Sequence, residues 1–207
     1  MSEVNNLLAH IQRASAVQKK MFANETGFAE IRQRGRNRFE IPLPISISRH
    51  PMLSTINHSV MVPLFGSQVQ LLHSGCFIAM PDSDNQNMHT DGPHKSQTVH
   101  LPPYLVNLFI PLVDLTAENG PTEFRPGTHR LSVADTDVAP ISALLKAGCA
   151  LIFDYRLEHR GLGNKTTEPR PVLYFTFGSE VDSWNFKFPF LLSSISSKRR
   201  RKRRRRA

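Results

Sequence analysis

Short apolar segments rich in β-branched and aromatic residues recur along residues 69–178, separated by turns that contain Gly and Pro. Segments of this length and composition are typical of β-strands. The predicted strands are Val69–Ala79, Val106–Leu112, Thr122–Arg125, Ala150–Phe153 and Pro171–Gly178. In the last of them, large apolar side chains alternate from Leu173 to Phe177, so one face of the sheet should be buried. The pattern therefore indicates an antiparallel sandwich or barrel.

Two helices are predicted before these strands. Apolar residues at positions 4, 7, 8, 11 and 14 form one stripe of a helix. Met52–Leu64 is a second helical segment, which Pro63 and Gly66 should end. The Arg-, Pro- and Ser-rich stretch between the two helices predicts a loop with a short strand near Ile45–Ser48. We therefore expect a mainly β fold with N-terminal helices packed on one sheet.

The 207 residues are most simply organised as one domain followed by a tail. The predicted domain spans residues 1–192, with a helical cover over 1–66 and a β core over 67–180. Nine consecutive Lys and Arg residues, Lys198–Arg206, account for the whole net charge of +9. The rest of the chain is neutral, which argues against a basic nucleic-acid groove within the fold. Because like charges repel, residues 193–207 should form a disordered polybasic tail.

Cysteine content and the absence of targeting signals indicate the cellular compartment in which the protein is expected. Cys76 and Cys149 are too few for a disulfide framework, and we expect both to be small buried apolar residues in a reducing compartment. No apolar run reaches the roughly 18 residues that a membrane span needs. The polar first twenty residues do not resemble a signal peptide, and the chain does not end in a peroxisomal Ser-Lys-Leu signal. The expected location is the cytoplasm or the nucleus.

Two histidines and one aspartate form a candidate metal site. His89 and Asp91 are two positions apart, so their side chains leave the same face of an extended segment. His159 follows Asp91 by 68 residues, and Arg170 follows His159 by 11. Two imidazoles and one carboxylate can hold Fe(II) on one face of an octahedron and leave open positions for other ligands. A His-x-Asp tripeptide also occurs by chance, so the surrounding motifs decide the interpretation.

Three blocks of sequence accompany these residues: Glu118–His129, Arg160–Asn164 and Arg170–Thr176. With these blocks in this order and spacing, the chain resembles the phytanoyl-CoA dioxygenase-like family of Fe(II)/2-oxoglutarate-dependent oxygenases. The resemblance extends from about Val69 to Gly178, roughly half of the chain. It implies a double-stranded β-helix, also called a jelly roll or cupin-like fold, with the metal at the mouth of the barrel.

The resemblance also implies roles for individual residues. His89, Asp91 and His159 would bind iron, Arg170 would pair with the distal carboxylate of 2-oxoglutarate, and the Thr122 hydroxyl would help to hold that co-substrate. The case for arginine is also physical, because a guanidinium binds a carboxylate through two hydrogen bonds. The implied reaction uses Fe(II), 2-oxoglutarate and O2 to oxidise a C–H bond of a small organic substrate, and it releases succinate and CO2.

Asn107 is a further candidate for co-substrate binding. It lies 16 residues after Asp91 on a predicted strand, where its neighbours Val106 and Leu108 point to the opposite face. Asn107 should therefore face the interior of the barrel. A buried amide needs a hydrogen-bond partner, which would be either the co-substrate or the backbone.

Two alternative functions remain open at this level. A cupin-like hydrolase or isomerase could use the same three ligands with Zn(II) or Mn(II), but it would not need Arg170. A catalytically silent nuclear or nucleic-acid interaction protein would act through Lys198–Arg206. That run could equally be a nuclear localisation signal, an anchor to nucleic acid or to an anionic membrane, or an extension without a selected role. The resemblance does not identify a substrate.

Overall fold

The computed structural model describes residues 32–43, 45–96, 98–130 and 138–179. The N-terminal part contains a hairpin and a helical stretch: β1 (Arg32–Gly35), β2 (Arg38–Pro42), a 3-10 turn (Ile45–Arg49), α1 (Pro51–Ile56), a π-helical turn (Asn57–Met61) and α2 (Val62–Phe65). The remaining elements are strands: β3 (Val69–Ala79), β4 (Leu105–Pro111), β5 (Thr122–Phe124), β6 (Ile141–Ser142), β7 (Leu151–Asp154), β8 (His159–Gly161) and β9 (Arg170–Ser179).

The strands form two antiparallel sheets. The larger has the order β1-β2-β3-β9-β4-β7, and the smaller has the order β6-β5-β8. In the centre of the larger sheet the paired strands are distant in sequence, as in the long β3·β9 pair, whose register runs from Val69↔Ser179 to Ala79↔Arg170. Strands of a jelly roll alternate between two facing sheets in this way. The predicted double-stranded β-helix is confirmed, and all five predicted strands are present within one or two residues of their predicted ends.

The larger sheet buries one face against the helical stretch. Leu108, Leu173 and Phe175 on this face have no exposed surface, and they share a core with Leu53 and Met61 from the helical stretch. Each such side chain stabilises the fold by about 1.5–3 kcal/mol when it leaves water. The packing of helix 51–65 on one sheet is as predicted. The predicted helix at positions 4–14 and the polybasic tail lie outside the described residues.

The interpretation of the stretch before this helix was wrong in two respects. The predicted strand near Ile45–Ser48 is a 3-10 turn, and residues 32–42, placed in a helical cover, form the β1–β2 hairpin that extends the larger sheet. The buried positions of β2 are occupied by Arg38 and Glu40. Because charged residues stand where a strand normally places apolar ones, the hydrophobic alternation that reveals a strand is missing.

Two smaller predictions also need correction. The helical stretch continues past Pro63 to Phe65 and ends at Gly66, whose φ of 85° is in the left-handed region. Pro63 lies in the first turn of α2, where its missing N–H is tolerated. Cys76 is buried, but Cys149 is exposed, because it directly follows the turn at Gly148. Across the described ranges, no helix combines the length and apolar character needed to cross a membrane.

Candidate metal and anion site

Backbone pairing brings the two predicted histidine ligands side by side. An isolated antiparallel bridge joins His89 to His159, with N–H···O distances of 3.0 Å and 2.9 Å. Directly paired residues of antiparallel strands point their side chains to the same face. The two imidazole rings are accordingly 4.6 Å apart between centroids. The bridge adds the His89 segment to the edge of the smaller sheet, beside β8.

Asp91 completes the cluster. Its backbone N–H donates to the carbonyl oxygen of Tyr155 at 3.1 Å, which holds the segment after His89 against the turn before β8. The Asp91 carboxylate lies 3.5 Å from Nε2 of His159 and 3.9 Å from Nε2 of His89. One donor atom from each of the three residues lies within 4.8 Å of the other two. The structure therefore brings together the three residues predicted to bind metal.

The backbone selects the tautomer of both rings. Nδ1 of His89 lies 2.8 Å from the carbonyl oxygen of Asn87, and Nδ1 of His159 lies 2.9 Å from that of Leu157. A carbonyl oxygen can only accept, so each Nδ1 carries a hydrogen and donates it. Each Nε2 then keeps its lone pair on the side that faces Asp91. Metal-binding histidines commonly have their second nitrogen held by such a bond.

The buried position of His159 also favours the neutral form of its ring, which is the form that binds a metal. Burial lowers the pKa of His159, although the charge of Asp91 and the bond to Leu157 oppose that effect. Two ion pairs flank His159, one formed by residues next to β8 and β5 and the other by residues within these strands. Glu158 pairs with Arg125, and Arg160 donates to Glu123 at 2.6 Å.

Asn107 holds the carboxylate in place. Its side-chain N–H donates to Oδ2 of Asp91 at 2.6 Å, and its oxygen accepts a hydrogen bond from the hydroxyl of Thr176 at 2.7 Å. Val106 and Leu108 point to the opposite core, as the sequence predicted. The partners of Asn107 in this structure are thus Asp91 and Thr176, neither of which was predicted. Co-substrate binding by Asn107 remains a prediction.

The three candidate ligands open into a cavity of about 390 Å³. Arg170, Thr122 and Asn107 line the same cavity, so all six predicted site residues share one space. Thr122 is 4% exposed and pairs with Gly161 at the end of β8. Aromatic side chains, among them Phe77 and Phe109, make up much of the remaining wall.

Arg170 is a buried cation without an anionic partner in the described part of the chain. It is 4% exposed, and its Nε has no hydrogen-bond partner there. Burial and the nearby charge of Arg38 lower the pKa of Arg170 to about 10. The other carboxylate of the cavity wall, Glu40, is already bound by Arg34 and by the hydroxyl of Tyr174. A buried guanidinium in this state favours an anion in the cavity.

Arg38 is the second buried arginine of the cavity, and its surroundings differ from those of Arg170. Its guanidinium donates to the backbone oxygens of Asp84 at 2.8 Å, Gly161 at 3.0 Å and Leu162 at 2.5 Å. These bonds connect β2 in the larger sheet with the end of β8 in the smaller one. Arg38 therefore has a structural role, because it holds the two sheets together at this end of the barrel.

Several cavity residues were not identified from the sequence: Arg34, Arg38, Glu40, His73, Gln86, Tyr155, Tyr174 and Thr176. The alternation of Tyr174 and Thr176 with large apolar residues on β9 was a usable signal that both face inward. Tyr155 lies four residues before His159, but nothing in its local sequence distinguishes it from a core tyrosine. Polar residues of β2 were missed together with the strand itself.

The donor set fits Fe(II). Two neutral imidazole nitrogens and one carboxylate are suited to this ion, and three ligands on one side leave coordination positions open towards the cavity. The buried guanidinium in the same cavity fits a second, anionic ligand such as a dicarboxylate. These are the chemical requirements for binding iron together with 2-oxoglutarate.

The chain is similar to dioxygenases of Aspergillus species and, in its fold, to several proteins of known structure. It is 29% identical over 145 residues to the dioxygenase aneA of Aspergillus aculeatus, which covers 59% of this chain and 44% of aneA. It is also 29% identical over 128 residues to the Fe(II)/2-oxoglutarate-dependent dioxygenase nvfF of Aspergillus novofumigatus, covering 59% of this chain and 42% of nvfF. The chain thus spans less than half the length of these relatives.

Solved structures agree with the fold. The non-heme alpha-ketoglutarate-dependent epimerase SnoN from nogalamycin biosynthesis has a TM-score of 0.61 and 19% identity, over 86% of this chain and 72% of SnoN. AviO1 from Streptomyces viridochromogenes has a TM-score of 0.60 and 16% identity, over 84% of this chain and 85% of AviO1. At these identities the likeness shows the fold alone. The family model for phytanoyl-CoA dioxygenase (PhyH) matches residues 2–172, most of the chain, and the protein therefore belongs to the phytanoyl-CoA dioxygenase family.

Proposed function

We propose that this protein is a non-haem Fe(II)- and 2-oxoglutarate-dependent dioxygenase that hydroxylates a small organic substrate and releases succinate and CO2. One observation carries the proposal. Three donors suited to Fe(II) lie within 4.8 Å of one another in a cavity that also contains a buried guanidinium without an anionic partner among the described residues. Family membership supports the same activity.

His89, Asp91 and His159 would hold the metal. The two imidazoles offer Nε2 because their Nδ1–H groups are bound to backbone oxygens, so neither ring has to change tautomer or rotate. Asn107 fixes one carboxylate oxygen of Asp91 through a bond of 2.6 Å. A preorganised set of ligands binds without first having to be ordered.

Arg170 would bind the distal carboxylate of 2-oxoglutarate, and Thr122 would contribute a hydroxyl beside it. A charge-assisted hydrogen bond of about 1.5–3 kcal/mol corresponds to roughly 10- to 150-fold in affinity. Bound iron, together with 2-oxoglutarate and O2, supplies the oxidising chemistry that cleaves a C–H bond. Phe109 lines the cavity, and behind it Phe153 and Phe124 pack against the ring of His159, so this side of the site is apolar.

The test is iron-dependent conversion of 2-oxoglutarate into succinate in the absence of a substrate. Enzymes of this type slowly convert 2-oxoglutarate into succinate even when no substrate is oxidised. Succinate should therefore appear when the purified protein receives Fe(II), 2-oxoglutarate and O2. It should not appear when Zn(II) replaces Fe(II). Candidate substrates can then be screened for faster succinate release.

Two outcomes would contradict the proposal. The first is the absence of succinate from protein that binds one equivalent of Fe(II). The second is hydrolysis or isomerisation of a test compound at a rate that does not depend on 2-oxoglutarate, which would favour the cupin-like alternative. That alternative leaves the burial of Arg170 without a ligand to explain it.

A further inference from the structure

Thr176 is a buried residue of the cavity wall that the sequence motifs leave without a role. It lies near the end of β9 and is 4% exposed. It lines the cavity, whereas its chain neighbours Phe175 and Phe177 belong to the apolar core on the opposite face of the sheet. A hydroxyl on the inward side of a buried strand needs a hydrogen-bond partner. The partner of Thr176 connects it to the candidate metal site.

The register of the larger sheet brings Thr176 next to Asn107. The two residues are direct partners in the β4·β9 pair, and directly paired side chains of antiparallel strands lie on the same face. The Thr176 hydroxyl donates a hydrogen bond to Oδ1 of Asn107 at 2.7 Å. Asn107 is 3% exposed and Thr176 is 4% exposed, so the protein rather than bulk water satisfies both groups.

Asn107 connects Thr176 to Asp91. Its side-chain N–H donates to Oδ2 of Asp91 at 2.6 Å, from the other end of the same amide group. Asp91 lies outside the named strands, in the segment between β3 and β4, whereas Thr176 lies on β9, which is paired on both sides. The two hydrogen bonds therefore join a candidate ligand on a connecting segment to the middle of the larger sheet.

The two ends of the Asn107 amide differ in their hydrogen-bonding capacity. The nitrogen can only donate and the oxygen can only accept. A carboxylate that binds a metal is deprotonated and also only accepts, so the nitrogen end must face Asp91. The oxygen end then faces β9, where the Thr176 hydroxyl supplies a donor. Without this donor the buried oxygen would lose a partner, and the amide would gain by turning or shifting away from Asp91.

Ser74 provides a comparison within the same sheet. It lies on β3, the strand beside β9, and it is 5% exposed. Its hydroxyl donates to the backbone oxygen of Leu43 at 3.0 Å, and Ser74 is not among the residues that line the cavity. Ser74 and Thr176 are both buried hydroxyls with a partner, but of the two it is Thr176 that bonds to a side chain in contact with a candidate ligand.

We propose that Thr176 is a positioning residue of the metal site, which holds the Asn107 amide in the orientation that lets its nitrogen donate to Asp91. Metal affinity then depends on a hydroxyl whose hydrogen bond is to Asn107 and not to a ligand. This inference rests on the proposed function, because it takes Asp91 as a ligand of the metal.

The test is calorimetric titration of the full chain with Zn(II). Thr176→Val keeps the branched shape of the side chain and removes the hydroxyl. Its Kd for Zn(II) should be roughly 2- to 12-fold higher than that of the wild type, as expected for the loss of one neutral hydrogen bond. Thr176→Ala, a second variant without the hydroxyl, should change in the same direction, and Thr176→Ser should recover the wild-type Kd. Ser74→Ala, the matched control, should bind Zn(II) as the wild type does, even where its Tm is lower.

A double-mutant cycle shows whether Thr176 acts through Asn107. Asn107→Leu removes the amide, so adding Thr176→Val to it should cause no further loss of Zn(II) affinity. A second loss of the same size in the double variant would mean that Thr176 acts independently of Asn107, and it would overturn the inference. A wild-type Kd in Thr176→Val, an equal loss in Ser74→Ala, or no recovery in Thr176→Ser would overturn it as well.

Iron-dependent succinate formation by the wild type is measured in parallel, so that the two proposals can fail separately. Succinate from the wild type, together with an unchanged Kd in Thr176→Val, refutes only the role of Thr176. The expected pattern of Zn(II) affinities without succinate refutes the oxygenase and leaves the role of Thr176 in metal binding in place. A wild type that does not bind Zn(II) overturns both.

Discussion

Replacing Arg170 with methionine should raise the thermal stability of the ligand-free protein, which is the reverse of the usual effect of removing a large buried side chain. Arg170 is 4% exposed and has no hydrogen bond at Nε within the described ranges. Its charge is therefore desolvated on folding without compensation from a carboxylate. Methionine is unbranched and apolar, so it can occupy much of the same volume without the charge.

The pKa of Arg170 gives the size of the effect. Burial and Arg38 lower that pKa from 12.5 to about 10, which corresponds to about 3 kcal/mol at roughly 1.4 kcal/mol for each tenfold change. At pH 7 the guanidinium is charged in both the folded and the unfolded chain, so the whole cost applies there. Because methionine does not fill the guanidinium's volume completely, a net gain of about 2 kcal/mol is expected. For a chain of this length, that gain raises Tm by roughly 4–8 °C.

Differential scanning calorimetry with and without 2-oxoglutarate is the assay, in the presence of Zn(II). The co-substrate should stabilise the wild type by about 2.7 kcal/mol at a hundred times its Kd. Its affinity for Arg170→Met should be roughly 10- to 150-fold weaker, because one charge-assisted contact is lost. The variant should therefore melt higher than the wild type without ligand and gain little when the ligand is added.

Arg38→Met is the matched control. Arg38 is also a buried arginine of the same cavity, but its guanidinium donates to the backbone oxygens of Asp84, Gly161 and Leu162. Its removal takes away all three of these hydrogen bonds, and Tm should fall. If Arg170→Met lowers Tm as Arg38→Met does, or if 2-oxoglutarate stabilises Arg170→Met as much as the wild type, the reasoning about an unpaired buried cation is wrong.

Three further predictions follow from the site and its surroundings. His89→Ala should abolish iron-dependent succinate formation, and normal turnover at ordinary iron levels would refute its assignment as a ligand. Asn107→Leu removes the 2.6 Å bond to Asp91 and should weaken metal binding by roughly 10- to 100-fold; a titration that gives the wild-type Kd would show that the bond does not position the carboxylate. Burial favours a higher pKa for Asp154, but the hydrogen bonds and charge of Arg156 outweigh burial and lower it. The Asp154–Arg156 pair therefore stabilises the fold above about pH 4, and this stabilisation is lost as the pH falls. In urea unfolding, the loss in free energy of unfolding caused by Asp154→Asn should become smaller from about pH 6 to about pH 3. If the pair contributed nothing, this loss would not change with pH.

The strands that the sequence predicted are those whose apolar side chains follow the strand period. β3 has the predicted bounds, Val69–Ala79, and β9 extends the predicted strand by one residue at each end. β2 was missed because its inward positions hold Arg38 and Glu40, which stabilise the fold through partners that are distant in sequence. A hydrophobic pattern reports burial only where the buried side chain is apolar.

The chemistry of the site was already determined by the sequence, because the types and spacing of His89, Asp91, His159 and Arg170 specify which donors are available. Only the tertiary structure decided how these donors are used. The bridge between His89 and His159, the bond from Asn107 to Asp91 and the burial of Arg170 all depend on segments that are far apart in the chain. The physical reason is that side-chain identity is local, whereas burial, protonation and hydrogen-bond partners are set by whichever distant segments fold against a residue.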